Sequence, residues 1–103
     1  MNEKVLSLLG FASKSANLSF GMDSSKESLK KGKTKLILAA SDISEKSLKE
    51  IRFFAEKQNV DVISVEYSGD TLAAATGRKG SILSVNDEGF AKAIRGGIVG
   101  GKN

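Results

Sequence analysis

Four residue types that carry much of protein chemistry are missing from this sequence of 103 residues: cysteine, histidine, tryptophan and proline. Without cysteine the chain can form neither a disulfide nor a zinc–thiolate site. Without histidine it lacks the side chain that titrates near neutral pH and the commonest ligand of transition metals. The serine triad, the cysteine–histidine pair and the zinc hydrolase site are therefore excluded. We expect no cofactor, no metal and no enzymatic activity.

Long hydrophobic runs and aromatic residues are also scarce. The longest stretch without a charged side chain, Val5–Ser13, is far shorter than the roughly 20 apolar residues that span a membrane. No basic leader with a small-residue cleavage site accompanies it, so we expect a cytoplasmic protein with no membrane partner. Five phenylalanines and one tyrosine are too few for the base-stacking platform of proteins that bind single-stranded nucleic acid.

Positive charge is in excess and unevenly distributed. The net charge is +4; segments 21–35 and 71–103 each carry +3, whereas segment 36–70 carries −3. If the two basic segments meet in the fold, one face of the protein can attract a polyanion such as a nucleic acid. A surplus of lysine can also serve only to keep a protein in solution, and charge alone leaves both interpretations open.

Apolar periodicity predicts that helices and strands alternate along the chain. The predicted helices are Glu3–Lys14, Asp23–Lys31, Asp42–Gln58, Leu72–Ala75 and Asp87–Arg95, and the predicted strands are Leu18–Phe20, Lys35–Ala40, Val60–Val65 and Ser81–Val85. A strand, a helix and a strand in direct succession around residues 35–65 predict a parallel strand pair. We therefore predict a three-layer α/β/α sandwich on a small mixed, mostly parallel sheet. Residues 1–95 would form a single domain, and the glycine-rich tail 96–103 would be flexible.

Three local signals predict where helices begin and end. Gly32 and Gly77 each follow a predicted helix in the position that favours a left-handed backbone. Asp42 precedes the third helix, and Glu45 follows Asp42 by the three-residue spacing of a capping box. We therefore expect Asp42 to cap this helix.

Two glycine-containing loops are candidate binding sites for phosphate. Gly21 precedes a predicted helix, where unpaired backbone N–H groups can meet an anion, and Lys26 and Lys30 follow it. The second loop, Gly77–Gly80, holds two cations between two glycines, so that the backbone can approach a ligand closely. An ordinary turn with incidental surface charge is the simpler interpretation of either loop taken alone.

The stretch from Gly21 to Ile43 resembles the core of the ribosomal protein L7Ae family. That family shows a glycine, a short helix, a second glycine eleven residues later (Gly32 here), an apolar strand, and an aspartate followed by an aliphatic residue. The similarity continues through Asn59–Val62 and Gly77–Val85, and so covers nearly the whole chain apart from the tail. It implies an α/β/α sandwich that binds kink-turns, which are sharply bent RNA internal loops with tandem sheared G·A pairs. The sequence looks closest to the small bacterial, ribosome-associated members of that family, which implies a role with the ribosome or in translation.

The resemblance implies that three regions contact RNA: Gly21–Glu27, Ser41–Ile43 and Arg78–Ile82. The start of the second helix would enter the bend, and the last region would cover a flipped-out nucleotide. The candidate RNA-binding residues are Gly21, Asp23, Ser24, Lys26, Glu27, Lys30, Ser41, Asp42, Arg78, Lys79 and Gly80. We expect structured RNA as the partner, ribosomal RNA above all, together with the ribosome or its proteins, and we expect a monomer.

Three positions depart from the family's kink-turn pattern. Asp23, Ser24 and Glu27 stand where kink-turn binders typically carry Asn, Glu and Lys. An aspartate accepts hydrogen bonds but cannot donate them, and Glu27 would turn a negative charge towards phosphates. Two alternatives therefore stay open. One is a protein–protein interaction module that uses an acidic helix over Asp42–Gln58, and the other is a small α/β enzyme with a perturbed lysine or carboxylate in a pocket.

Overall fold

The computed structural model of the protein describes residues 3–100. Five helices and four strands occur within this range. The helices are α1 (Glu3–Lys14), α2 (Gly21–Lys30), α3 (Glu45–Lys57), α4 (Gly69–Thr76) and α5 (Glu88–Gly100), and the strands are β1 (Leu18–Phe20), β2 (Leu36–Ala39), β3 (Val62–Ser64) and β4 (Ile82–Val85). Their order is the predicted one, and most boundaries agree to within a few residues.

The four strands form one mixed sheet in the order β1-β4-β2-β3. β2 and β3 are parallel, as the crossover predicts, whereas β4 is antiparallel to both β1 and β2. The expectation of a mostly parallel sheet is therefore wrong. The reason is that α4, with eight residues, does not carry the chain back to the other end of the sheet. The Ala40 N–H donates to the Ser81 carbonyl at 2.8 Å, so β4 begins where β2 finishes and must run in the opposite direction.

Two hydrophobic clusters lie on opposite faces of the sheet. Side chains alternate between faces along a strand, so Leu36 and Leu38 point to one side and Ile37 to the other. The first cluster joins the sheet to α1, α4 and α5, and the second joins it to α2 and α3. The side chains of Leu36, Ile37 and Leu38 are fully buried. The burial of each contributes about 1.5–3 kcal/mol to the free energy of unfolding. The predicted three-layer α/β/α sandwich is confirmed.

The connection from α2 to β2 is a Schellman turn at the predicted glycine. Gly32 has φ +72°, in the left-handed region that disfavours any residue with a Cβ. Its N–H donates to the Leu29 carbonyl, and the Lys33 N–H donates to the Ser28 carbonyl, both at 3.0 Å. These two bonds are the defining pair of the motif. The turn directs the chain from the end of α2 into the buried strand β2.

The capping residue of α3 is Ser44, and the expectation that Asp42 caps this helix is wrong. The Ser44 Oγ accepts a hydrogen bond from the Ser47 N–H at 3.1 Å. The Asp42 carboxylate instead accepts from the Gly69 N–H at 2.9 Å, 27 residues away in the sequence. Both residue types are good caps, and the backbone of the loop places Ser44 at the first turn.

Replacing Ser44 with alanine tests this assignment. Loss of the cap leaves the Ser47 N–H without its partner, and we expect the free energy of unfolding in urea to fall by about 1 kcal/mol. Ser41→Ala is the matched control, because Ser41 is an exposed serine in the same loop whose hydroxyl caps no helix. The control should change stability by less than about 0.5 kcal/mol. Equal losses in the two variants would contradict the assignment.

Helix α5 continues beyond the predicted end at Arg95 and includes part of the expected tail. It runs from Glu88 to Gly100. Ile98 packs against the first hydrophobic cluster, and this burial outweighs the low helix propensity of the neighbouring glycines. Residues 96–100 are therefore helical. Residues 101–103 of the predicted tail lie outside the described residues.

Candidate functional site

Three loops meet at one end of the sheet: the β1–α2 junction at Gly21, the β2–α3 loop (residues 40–44) and the α4–β4 loop (residues 77–81). The order of the strands brings them together. β4 lies between β1 and β2, with Leu83 opposite Phe20 and Ile82 opposite Ala39. The loop that leads into β4 therefore has the other two loops as neighbours. These are the three regions that the resemblance singled out.

The β1–α2 junction and the α4–β4 loop are in contact, and a glycine lies on each side of the contact. A Cβ placed on Gly80 would lie 3.3 Å from the backbone nitrogen of Gly21 and 3.7 Å from the Cβ of Phe20. Gly21 itself has φ +87°, and a Cβ built there would meet no atom within 4 Å. Gly21 therefore combines a backbone conformation that favours glycine with open space in front of it. A ligand can approach the backbone closely at this point.

Arg78 lies over an aromatic ring at this end of the sheet. Its guanidinium carbon is 4.7 Å from the centroid of the Phe20 ring, within the range of a cation–π interaction. Phe20 is the last residue of β1 and is half-buried. The stack holds the Arg78 guanidinium beside Gly21 and Gly80. No local pattern in the sequence marks Phe20, because only the pairing of β1 with β4 brings Phe20 and Arg78 together.

Asp23 and Ser24 occupy the first turn of α2, and both are exposed. Neither side chain has a hydrogen-bond partner among residues 3–100. A carboxylate in the first turn is stabilised by the helix dipole. The pair therefore presents a free acceptor and a free hydroxyl next to Gly21, where polar groups of a ligand can meet them.

Lys26 and Lys30 lie apart from this group. The Lys26 ammonium donates to the Glu50 carboxylate of α3 and lies 4.5 Å from the centre of the Phe54 ring. Its side chain is thus held between α2 and α3. Lys30 is the last residue of α2, which runs away from Gly21 towards the opposite end of the sheet. The prediction that both lysines lie near Gly21 rested only on their closeness to it in the sequence.

Glu27 is paired with Lys31, the residue that follows the last residue of α2. Its carboxylate accepts a hydrogen bond from the Lys31 ammonium at 2.8 Å, one helical turn later. The hydrogen bond and the charge of Lys31 hold the pKa of Glu27 below its ordinary value, with a smaller contribution from the charge of Lys33. Lys31 therefore offsets locally the negative charge that Glu27 would otherwise turn towards a polyanion.

Removing Lys31 tests this interaction. In a Lys31→Ala variant we expect the pKa of Glu27 to rise towards its ordinary value, as followed by the carboxyl ¹³C chemical shift during an acid titration. Because the pKa is lowered in the folded state, the stabilising contribution is present above the ordinary pKa and is lost as pH falls through the lowered one. The effect on stability should be small, since both side chains are exposed. An unchanged Glu27 titration in the variant would contradict the assignment.

The Ser41–Ile43 segment is tied to the start of α4. The Ser41 N–H donates to the Tyr67 carbonyl at 2.8 Å, and Asp42 accepts from Gly69 as described above. Ile43 packs against the second hydrophobic cluster. Asp42 therefore holds the loop against α4, a contact between distant residues that no local pattern indicates. Lys79, in the neighbouring loop, is exposed and adds a second cation beside Arg78.

Two further findings concern the described part of the chain. No helix within it is long and apolar enough to cross a membrane. Within the same residues no group of three or more acidic side chains is placed to hold a metal ion. The site at the end of the sheet presents backbone groups, two cations, a carboxylate and a hydroxyl. Such groups can bind phosphates and base edges.

Comparison with solved structures identifies proteins of the same fold. A Bacillus halodurans protein of unknown function superposes with a TM-score of 0.88 at 25% sequence identity, over 93% of this chain and 97% of that chain. A Giardia lamblia protein, described as a 15.5kD RNA binding protein, superposes with a TM-score of 0.77 at 14% identity, over 95% of this chain and 84% of that chain. At the latter identity the similarity establishes the fold alone. A search of curated proteins returned no match.

A protein-family profile matches nearly the whole described chain. The profile described as the ribosomal protein L7Ae/L30e/S12e/Gadd45 family matches residues 3–95. The match includes all four strands, and it reaches into α5. It also agrees with the resemblance that the stretch from Gly21 to Ile43 carries. The chain belongs to the ribosomal protein L7Ae/L30e/S12e/Gadd45 family.

Proposed function

We propose that this protein is a non-catalytic RNA-binding protein that holds structured RNA, of the kink-turn type, in association with the ribosome. The observation that carries the proposal is the meeting of three loops around Gly21, where backbone, cations and free polar groups face open space. Membership of the family supports it. So does the description of the Giardia lamblia protein of the same fold as RNA binding.

Each group at the site has a chemical role in this proposal. Arg78 and Lys79 contact phosphates, and the Phe20 ring keeps the Arg78 guanidinium in place. Gly21 lets the RNA backbone or a base edge come close to the protein. Asp23 and Ser24 form hydrogen bonds with exposed base edges. Bent RNA suits such a site, because its splayed strands present phosphates and base edges together.

The proposed contact set is narrower than the set of candidates from the sequence. Lys26 is engaged with Glu50 and Phe54, and Lys30 lies at the far end of α2, so neither is included. Asp42 supports the β2–α3 loop through Gly69 and acts indirectly. Glu27 pairs with Lys31, which offsets its charge locally, so Glu27 is not included either. The contacts then come from Gly21, Asp23, Ser24, Arg78, Lys79 and Gly80.

The proposal is tested by measuring how tightly the protein binds a kink-turn RNA and an unbent duplex of equal length. Each RNA is titrated at two salt concentrations. We expect the kink-turn to bind at least about 100-fold more tightly, which corresponds to about 2.7 kcal/mol. Affinity for both RNAs should fall as salt rises, because phosphate contacts release counterions. Equal, salt-sensitive binding to both would reject the kink-turn part of the proposal and leave a different RNA target. No binding to either would overturn it.

A protein-interaction module is the second candidate, and one observation favours it. Phe53 on α3 has 57% of its surface exposed, next to Phe54 in an edge-to-face pair. The acidic helix expected for this role is not acidic, because residues 42–58 hold equal numbers of acidic and basic side chains. Capture of a protein through α3 with no RNA affinity would support this candidate. A Phe53→Ser change that left RNA binding intact would be consistent with the main proposal.

A further inference from the structure

The edge strand β3 has unpaired backbone groups. Its inner side pairs with β2: the Ile37 N–H donates to the Asp61 carbonyl at 3.0 Å, and the Val65 N–H donates to the Ala39 carbonyl at 2.9 Å. Backbone groups point alternately to the two sides of a strand, so those of Val62 and Ser64 point away from β2. They have no partner within residues 3–100. An open strand edge of this kind is a template for another strand.

A groove of about 550 Å³ runs along this open edge. α3 contributes Arg52 and Glu56 to its wall, β3 contributes Val62 and Ile63, and α5 contributes Arg95. Arg95 is paired with Asp61 at 3.1 Å. Arg52 and Glu56, by contrast, form no ion pair with any described residue, although they are one helical turn apart. The groove therefore presents one free cation and one free anion side by side.

This pattern of charge is complementary to itself. A two-fold axis beside β3 would place a second β3 antiparallel to the first and a second α3 antiparallel to the first α3. Each Arg52 would then face the Glu56 of the other copy, and the arrangement is isologous. An acidic peptide would pair with Arg52 but place a like charge beside Glu56. A basic peptide would pair with Glu56 but place a like charge beside Arg52.

We propose that the open edge of β3 binds the same edge of a second copy of this chain, which extends the sheet across a dimer. Two short strands and two helix faces form a small interface, so the dimer should be weak and should appear on concentration. The dimer departs from the monomer that the sequence leads us to expect. Gly21, Arg78 and Gly80 stay free, because they adjoin the ends of β1 and β4, and β2 separates these strands from β3.

Charge exchange on α3 is the first test, read by analytical ultracentrifugation over a range of protein concentrations. Arg52→Glu and Glu56→Arg each place two like-charge contacts in the symmetric dimer. We expect either change alone to weaken dimerisation by about tenfold or more. The double variant Arg52→Glu/Glu56→Arg restores opposite charges and should dimerise as the wild type does. A wild type that stays monomeric at high concentration, or a double variant no better than the single ones, would overturn the proposal.

A proline at the strand edge is the second test. Ser64 is exposed, and its N–H points outwards, so Ser64→Pro removes an edge donor without removing a hydrogen bond to β2. Ser64→Ala is the matched control, and circular dichroism shows whether each variant is folded. We expect a monomeric but folded Ser64→Pro protein and a dimeric control. Dimerisation of both would overturn the proposal. RNA binding should be the same in the two Ser64 variants, which keep the net charge, and so reports separately on the proposed function.

Discussion

Gly21→Val should weaken the binding of kink-turn RNA by about 100-fold or more while the protein stays folded. The residue has φ +87° and open space in front of it. A β-branched side chain would project into the space where the RNA backbone is proposed to approach, and it would also disfavour the left-handed conformation. The strain should lower the free energy of unfolding by about 1–3 kcal/mol. The dissociation constant and urea unfolding measure the two effects separately.

Gly32→Val is the control that separates strain from contact. Gly32 has φ +72° and, like Gly21, no atom within 4 Å of a built Cβ. It lies at the opposite end of α2, away from the three loops. We expect a similar loss of stability but nearly unchanged RNA affinity. If both variants lost RNA binding equally, the loss would reflect backbone strain and not a contact at Gly21.

The second large effect is expected from the paired change Arg78→Ala/Lys79→Ala. Each phosphate contact contributes to the dependence of affinity on salt, so the logarithmic slope against salt concentration should fall by about two when both cations are lost. At low salt we expect the affinity to drop by about tenfold or more, since two charge-assisted contacts are removed. Fluorescence anisotropy titrations at several salt concentrations measure both quantities.

Lys92→Ala/Arg95→Ala removes the same amount of charge from α5 and serves as the matched control. These cations pair with Glu88 and Asp61 respectively, away from the loops at the end of the sheet. The control should lower affinity only through the general loss of positive charge and should leave the salt slope nearly unchanged. The same change in slope for both variants would mean that RNA follows the net charge of the protein and not the proposed site.

The elements that local patterns specify could be predicted from the sequence. α1 begins and ends as predicted, because its apolar spacing and its terminal charges all agree. The prediction of a left-handed residue at Gly32 is also confirmed, since this backbone conformation favours glycine. The predicted strand Val60–Val65 is longer than β3 by several residues, because an apolar run does not show where hydrogen bonding to the neighbouring strand stops. The family resemblance predicted which three loops form the site. The periodicity of apolar residues alone does not show that these loops lie together.

The rest depends on contacts between residues that are distant in the sequence. Lys26 looks like a free cation beside Gly21 until α3 brings Glu50 and Phe54 against it. Asp42 looks like a helix cap until the fold places Gly69 next to it. The unexpected length of α5 follows from packing on the first hydrophobic cluster. In each case a tertiary contact outweighs a local preference, and no window of neighbouring residues contains that information.

The most direct test of the central claim is a titration of the ¹⁵N-labelled protein with kink-turn RNA, followed residue by residue through the backbone amide signals. We expect the largest shifts at Gly21, Asp23, Ser24, Arg78 and Gly80, with little change along the β3 edge, Val62–Ser64. Such a map would place the RNA at the end of the sheet where the three loops meet. Largest shifts on the outer face of α3 or along β3, with the Gly21 amide unchanged, would contradict the account.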